Sequence, residues 1–233
     1  MPAAHDTAPA SQTLSRGIRI LEILADAREP LSIDEIARRL DVHRSVAYRL
    51  LRTLEDHGLV GRDDAGRVEL GARLAALAAG VAHDLQAEAL PELTAAANDL
   101  AMTCFLAVLD RDECVTLVSV EPRHATASVA QRPGSRHPVA VGAPGRAILA
   151  QLPPTQWPDG ADAIQVAEVA AQGFARSHDE VIPSLRSVAV PLTLRGRAPA
   201  AIAVVYLADG PEPAVLAARL EQAAHGIRIA LGD

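Results

Sequence analysis

Between Ser32 and Leu70 the hydrophobic period of the chain changes from helical to alternating, and that change limits the fold more than any other feature. Ser32 stands three residues ahead of Glu35, a pairing in which hydroxyl and carboxylate satisfy each other's backbone N–H groups at a helix start. Behind them Ile36, Ala37 and Leu40 keep helical spacing, which predicts a short helix from Ile33 to about Leu40. Asp41-Val42-His43 reads as a turn. From Arg44 to His57, Val46, Ala47, Leu50, Leu51 and Leu54 mark one side of a further helix, and Gly58 is placed to stop it in the left-handed conformation. Two alternating runs, Leu59–Arg62 and Arg67–Leu70, then flank the turn-forming Asp63-Asp64-Ala65-Gly66. Upstream, Leu14, Ile18, Leu21 and Leu24 predict a first helix over Leu14–Ala27, with Pro30 beyond its end. Helix, short turn, helix and hairpin, in that order, make a winged helix-turn-helix.

Beyond Gly71 the texture changes. The Ala- and Leu-rich stretch from Gly71 to about Ala87 predicts an interdomain helix, and a further helical stretch runs from Pro91 to Ala101. Apolar runs at Cys104–Leu109 and Val115–Val120 around Asp110-Arg111-Asp112-Glu113 predict an antiparallel hairpin, with another strand over Thr126–Gln131. A helix is expected to start near Ala143-Pro144-Gly145 and run to Gln151, since Pro suits a first helical turn, and another to cover Ala163–Gln172 up to Gly173. Strands at Val188–Leu194 and Ala200–Leu207 and a closing helix over about Glu212–Ala230 complete an α+β sensor-like domain on one antiparallel sheet. The expected division is a disordered tail over 1–13, the winged helix over 14–71, a linker helix over 72–88 and a second domain over 89–233.

Composition removes several classes. Aromatic residues are 2% of the chain, so the cores must be built from Leu, Val, Ile and Ala, and stacking platforms for single-stranded nucleic acid are not expected. The net charge of -7 argues against a protein that coats nucleic acid nonspecifically, and it sits mainly in the second part. Residues 1–75 hold 11 Arg against 12 acids, whereas residues 76–233 hold 11 Arg against 17. Every basic residue is Arg, which codon bias in a GC-rich genome would explain. Cys104 and Cys114 are too few and too far apart for a disulfide framework, a zinc knuckle or a CxxC pair, so a reducing cytoplasm is expected. Residues 1–13 lack the pattern of a signal peptide. The longest uncharged apolar stretches, Leu74–Ala82 and Ala198–Ala208, fall short of the ~20 residues that cross a bilayer, so no membrane partner is expected.

Helical spacing puts Arg44, Tyr48 and Arg52 on one stripe with Ser45 and Arg49 beside it, opposite Val46, Leu50 and Leu54. Such a stripe can read duplex DNA, since Arg grips guanine O6 and N7 with two hydrogen bonds and Ser or Tyr bonds a base edge or a phosphate. Arg49, between stripe and core, suits a phosphate. Arg62 and Arg67, one on each hairpin arm, are further phosphate contacts, as is Arg16 at the start of the first helix. Arg19 reads as a surface residue paired with Glu22, and Arg38 and Arg39 as a solvated pair. The start of the helix at Ala143-Pro144-Gly145, with unpaired N–H groups and the positive end of a dipole, suits a small carboxylate, and Gly145 would let it approach closely.

Order and residues together resemble the IclR family of bacterial transcriptional regulators, nearly end to end. The resemblance rests on Ser15-Arg16-Gly17-Ile18-Arg19-Ile20-Leu21-Glu22, Leu31-Ser32-Ile33-Asp34-Glu35-Ile36-Ala37, the Arg44–Leu54 segment, Gly58-Leu59-Val60, Leu70-Gly71, Gly145–Ala150, and Gly173-Phe174 with Glu180 and Val188-Ala189-Val190-Pro191. It implies a GAF-like effector domain whose cavity is lined by Ala143, Pro144 and Gly145, by Val129 on the preceding strand, by Ser177 after Gly173 and by Ser187 at a strand start. The chain departs from the family pattern at Ala140 and Gly142, where His and Thr are usual, at Arg146 in place of Lys, and at Ser184 and Ser187 in place of Gly and Cys.

The expected function is sequence-specific binding of double-stranded operator DNA by a homodimer or homotetramer. One winged helix offers too little surface for tight specific binding, and the first helix and the 71–87 helix are the expected dimer contacts. A small organic metabolite, a carboxylate by preference, would bind the second domain and shift the relative placement of the two winged helices. No cofactor, metal or thiol switching is expected. Two other classes stay open at this point: an enzyme, and a ligand-binding or interaction module with a vestigial winged helix. No GxSxG, HExxH or Gly-rich phosphate loop supports the former, and His178-Asp179-Glu180 reads as a solvated loop or helix start rather than a catalytic trio.

Overall fold

The computed structural model describes residues 11–27, 29–124, 131–207 and 210–233, which fall into two compact units divided between Val81 and Ala82. In the first unit α1 spans Gln12–Asp26, capped by the Ser11 hydroxyl, which accepts from the Leu14 N–H at 3.3 Å. Residues 1–10 of the expected tail lie outside the described residues, while Ser11, Gln12 and Thr13 belong to the helix and its cap. The buried stripe of α1 is Gly17, Ile20 and Leu24 rather than the expected Leu14, Ile18, Leu21 and Leu24. Leu14 is 65% exposed and Ile18 48% exposed, because the helix carries two neighbouring apolar stripes and only one covers the core of the unit.

The middle of the unit follows the sequence closely. Helix α2 covers Ile33–Leu40 with a complete capping box, Ser32 N–H donating to Glu35 Oε2 at 2.8 Å and Glu35 N–H to Ser32 Oγ at 3.3 Å. Helix α3 covers Arg44–Asp56, and Gly58 turns the chain at φ +69°. Strands β1 (Val60–Arg62) and β2 (Val68–Leu70) form the antiparallel hairpin. Leu31 joins its edge, exchanging backbone hydrogen bonds with Val68, so the hairpin is tied to the chain entering α2. Ile20, Leu24, Leu31, Ile36, Leu40, Leu51, Leu54, Val60 and Val68 form one core.

The single helix expected over 71–87 is instead α4 (Arg73–Ala78) and, in the second unit, the start of α5 (His83–Leu100). The break falls at Ala82, whose φ of 45° is left-handed, and not at Pro91, which α5 passes through on its exposed side. Leu85, Ala89, Leu93, Ala96 and Ala97 form a continuous buried stripe across that proline, and their packing outweighs one missing backbone hydrogen bond. The expected boundary at 88/89 therefore lies inside α5.

Among its described residues the second unit holds a six-stranded antiparallel sheet in the order β5-β4-β3-β8-β7-β6. Its strands are β3 (Thr103–Asp110), β4 (Glu113–Val120), β5 (Arg136–Pro138), β6 (Ala175–His178), β7 (Leu185–Leu192) and β8 (Ala200–Leu207). Alternation along β3 sends Cys104 and Leu106 to α5 and α8 (Pro213–Ala230), and Phe105 and Ala107 to α6 (Gly142–Leu149) and α7 (Ala163–Gln172). With so few aromatics, the second face is built largely of small residues, Ala107, Ala189, Ala201 and Ala203 under Ala143 and Ala147 of α6. Strands β5 and β6 and a 3-10 turn at Pro154–Gln156 appear where loops were expected. Of the strand expected over Thr126–Gln131, residues 126–130 lie outside the described residues and Gln131 is irregular. Among the described residues no helix is long and apolar enough to cross a membrane.

Candidate functional site

On the first unit Arg44, Ser45, Tyr48, Arg49 and Arg52 all lie on the exposed side of α3, while Ala47, Leu51 and Leu54 anchor its other side in the core. His43, read from sequence as part of a turn, is the N-cap: its Nδ1 accepts from the Ser45 N–H at 3.3 Å and lies 2.9 Å from the Ser45 hydroxyl. That contact fixes Ser45 at the helix start, where N–H groups face outward and favour anions. Arg44 reaches back to Asp34 of α2 at 3.3 Å, both fully at the surface, so the pair opens at little cost. Arg49 and Arg52 have no ion-pair partner among the described residues, and neither does Arg16 on α1.

The two hairpin arginines are different. Arg62 Nε sits 2.5 Å from Glu55 Oε1 at the end of α3, and Arg67 Nε sits 3.0 Å from Asp63 Oδ2. Asp63 also accepts from the Ala65 and Arg67 N–H groups, and these bonds hold its carboxyl below the usual range. Both arginines already hold the hairpin together, and a phosphate would compete with a carboxylate for each.

In the second unit the start of α6 is occupied by the protein itself. The Gly142 N–H donates to Glu180 Oε2 at 3.1 Å, and Arg146 Nη2 donates to the same oxygen at 2.7 Å. Pro144 has no N–H to offer. Ala143 is fully buried in the core and Gly145 packs on backbone, since a Cβ there would lie 2.0 Å from the Val139 carbonyl oxygen. The close approach that Gly145 permits is therefore that of Val139, not of a ligand. Of the three residues expected at this helix start, Pro144 lines a cavity.

Two cavities meet at Ser177 and Ser187, a small one with a volume of about 40 Å³ and a large one with a volume of about 560 Å³, both of them partly open to solvent. The two serines are direct cross-strand partners on β6 and β7. Ser187 faces Val205 of β8, which in turn faces Thr103 of β3. The hydroxyls of Ser187 and Thr103 are buried and have no hydrogen-bond partner among the described residues. Val129 lies outside the described residues. Phe105, His137 and Glu180, none of them singled out as lining, complete the smaller cavity with Val181 and Ile182. Burial holds the His137 imidazole below its ordinary value, and its Nδ1 lies 3.0 Å from the Pro138 carbonyl, which can only accept. Burial also pushes the Cys104 and Cys114 thiols up to about 12. Among the described residues no group of three or more His, Cys, Asp or Glu is placed to hold a metal.

The IclR helix-turn-helix domain matches residues 13–64. SauR of Cupriavidus necator, described as a probable transcriptional regulator, is 31% identical over 81% of this chain and 83% of its own length. The chain belongs to the IclR family. Another relative, the helix-turn-helix regulator Rv1719 of Mycobacterium tuberculosis, is 33% identical over 61% of this chain, and the match takes in 55% of that protein. Among solved structures, an IclR homolog of Microbacterium hydrocarbonoxydans complexed with 4-hydroxybenzoate superposes with a TM-score of 0.79 at 26% identity, covering 95% of this chain and 99% of that one. Within the IclR pattern, Ser184 stands where glycine is usual, and it holds φ at +65°, a conformation that strains a residue with a Cβ. Gly142, where threonine is usual, holds φ at +85°.

Proposed function

We propose that this IclR-family regulator binds double-stranded operator DNA as a homodimer or homotetramer, with the exposed face of α3 in the major groove, and that a small organic metabolite bound in the second unit changes its DNA affinity. The observation that carries the reading is the face itself: five side chains able to bond bases or phosphates stand exposed on one capped helix whose opposite side is locked in a core. Arg44, Ser45 and Tyr48, on the first turns, read bases; Arg49, Arg52 and Arg16 hold phosphates. Arg62 and Arg67 keep the hairpin in shape and meet the backbone only by releasing Glu55 and Asp63. Leu14 and Ile18 on α1, exposed and apolar, supply the contact between copies, which places two recognition helices on a two-fold site. The protein acts in the cytoplasm and has no catalysis of its own.

The effector site is the pair of cavities at Ser177 and Ser187, with Pro144 on its wall. The buried, unpartnered Ser187 hydroxyl supports a ligand that offers a hydrogen bond, and the 4-hydroxybenzoate held by the Microbacterium homolog supports an organic acid. Control requires different affinities for the DNA-competent and incompetent states, with a coupling of about 1–3 kcal/mol.

Selection from random duplexes tests the reading. The expected result is an inverted repeat with half-sites about one helical turn apart, bound by a dimer in light scattering. Operator affinity is expected to shift about 5- to 150-fold with an effective organic acid. No enriched sequence, or tight binding by a monomer, would overturn it.

A further inference from the structure

Arg146 is 7% exposed, yet its guanidinium is only partly used. Nη1 donates to the Arg176 carbonyl at 2.8 Å and Nη2 to Glu180 Oε2, while Nε is buried with no hydrogen-bond partner among the described residues. The one carboxylate oxygen on Nη2 also takes the Gly142 N–H. A guanidinium and a helix N-terminus that converge on one carboxylate form an anion site, and here the anion is a side chain of the same chain.

Glu180 is not part of the sheet. It lies in the loop joining β6 to β7, whose ends, Asp179 and Ser184, hold left-handed φ of 60° and 65°. This region strains a side chain with a Cβ, Ser184 more than Asp179. The loop's apolar residues Val181 and Ile182 are 43% and 40% exposed while roofing the smaller cavity. Gly142 allows this closure, because a Cβ there would lie 2.8 Å from Val181 Cγ2. At about 40 Å³ the smaller cavity has room for little more than a water, whose share of liquid volume is about 30 Å³. An organic ligand that reaches into it from the larger cavity must enlarge it, and the strained, thinly packed loop is the wall that can yield.

We propose that Glu180 is an internal stand-in for the effector's carboxylate: a small organic carboxylate displaces it from Arg146 and the Gly142 N–H, and the freed 179–184 loop leaves the roof of the cavity. This rests on the reading of the second unit as an organic-acid site. Exchange is favoured over simple addition for two reasons. Two carboxylates on one guanidinium would repel each other, and Glu180 reaches Nη2 alone, whereas an untethered carboxylate can align on Nε and Nη2 as a fork and satisfy the orphaned nitrogen. Arg146 also lines the open cavity together with Ser177 and Ser187, so the incoming acid has a route. While Glu180 holds the site, ligand affinity is lowered by the fraction of time the site is free.

The test uses the full chain, without DNA for calorimetry, melting and hydrogen exchange and with selected operator duplex for the last comparison, with benzoate and formate as probes and benzamide as the neutral counterpart of benzoate. Calorimetry is expected to show that Glu180→Ala binds benzoate at least ten-fold more tightly than the wild type, with Glu180→Gln between the two and benzamide indifferent to all three. Formate is expected to restore the thermal stability that Glu180→Ala loses. In the wild type, hydrogen exchange of the Val181, Ile182 and Ser184 amides should accelerate with benzoate and stay unchanged with benzamide, a reading that needs no variant to fold. Equal benzoate affinity in wild type and both variants, benzamide binding as tightly as benzoate, or unchanged loop exchange at saturating benzoate would overturn the exchange. Rescue by formate with no carboxylate affecting operator binding would uphold the exchange and refute metabolite control, so the two readings fail separately.

Discussion

Replacing Gly145 by alanine separates a packing role from a ligand role at one position. On helix propensity alone the change should stabilise α6 by about 1 kcal/mol. The new Cβ, however, would lie 2.0 Å from the Val139 carbonyl oxygen and 2.9 Å from its carbon. Ordinary contact starts near 3.4 Å, so a gap of about 1.4 Å must open, nearly one residue's rise along a helix. Neither side can give freely. Val139 is held by its N–H on the Asp112 carbonyl at 2.9 Å, and every residue of α6 is buried. Overpacking of this kind costs about 1–3 kcal/mol and occasionally more, and contact with fixed backbone belongs at the upper end. The net expectation is a loss of about 2 kcal/mol, or a melting temperature lower by roughly 4–8 °C for a unit of this size. Scanning calorimetry of the full chain reads it directly. Gly17→Ala in α1 is the control, since its Cβ meets nothing within 4 Å, and it should be neutral or stabilising by up to about 1 kcal/mol. If Gly145→Ala kept or raised the melting temperature and only weakened ligand binding, the close approach at Gly145 would be a ligand's and the packing argument would be refuted.

Three further outcomes follow from the same geometry. Arg49→Ala and Arg52→Ala should each lower the slope of log affinity against log salt by about 0.9 without changing the preferred sequence, whereas Arg44→Ala and Tyr48→Ala should relax base preference, both measured by anisotropy on selected duplexes; an Arg49 variant with altered preference and an unchanged slope would exchange these roles. Ser184→Gly should stabilise the second unit by about 1 kcal/mol in urea unfolding, because glycine holds φ +65° without strain, and a loss of stability would count against it. His137, held below its ordinary value of 6.5 by burial, is favoured neutral in the folded state, so its contribution is present above that value and lost as pH falls towards its lowered one. The second unit should therefore melt lower at pH 5.5 than at pH 7.5, with a smaller difference in His137→Gln, and an imidazole titrating at or above 6.5 by NMR would refute the assignment.

The parts legible in the sequence are those decided within a few residues. Ser32 and Glu35 cap α2 across three positions, Gly58 stops α3, and the exposed face of α3 follows from spacing, so the face proposed to meet DNA could be drawn before any coordinates. Ser177 and Ser187 could be named, but not their pairing, since β6 has only four residues and shows no alternation to read. What spacing could not supply is the partner of a charged group. Arg62 and Arg67 look like free phosphate contacts until Glu55 and Asp63 are found beside them, and the start of α6 looks like an open anion site until Glu180 arrives from 38 residues downstream. A helix N-terminus attracts a negative charge whatever its source, so the sequence pattern states the demand and only the fold shows what meets it. The same holds for α1, where two apolar stripes were written side by side and the fold decides which is core. Leu14 and Ile18, left outside, are the kind of residues a second copy would cover, and the stripe that fails as core is thereby the one that argues for assembly.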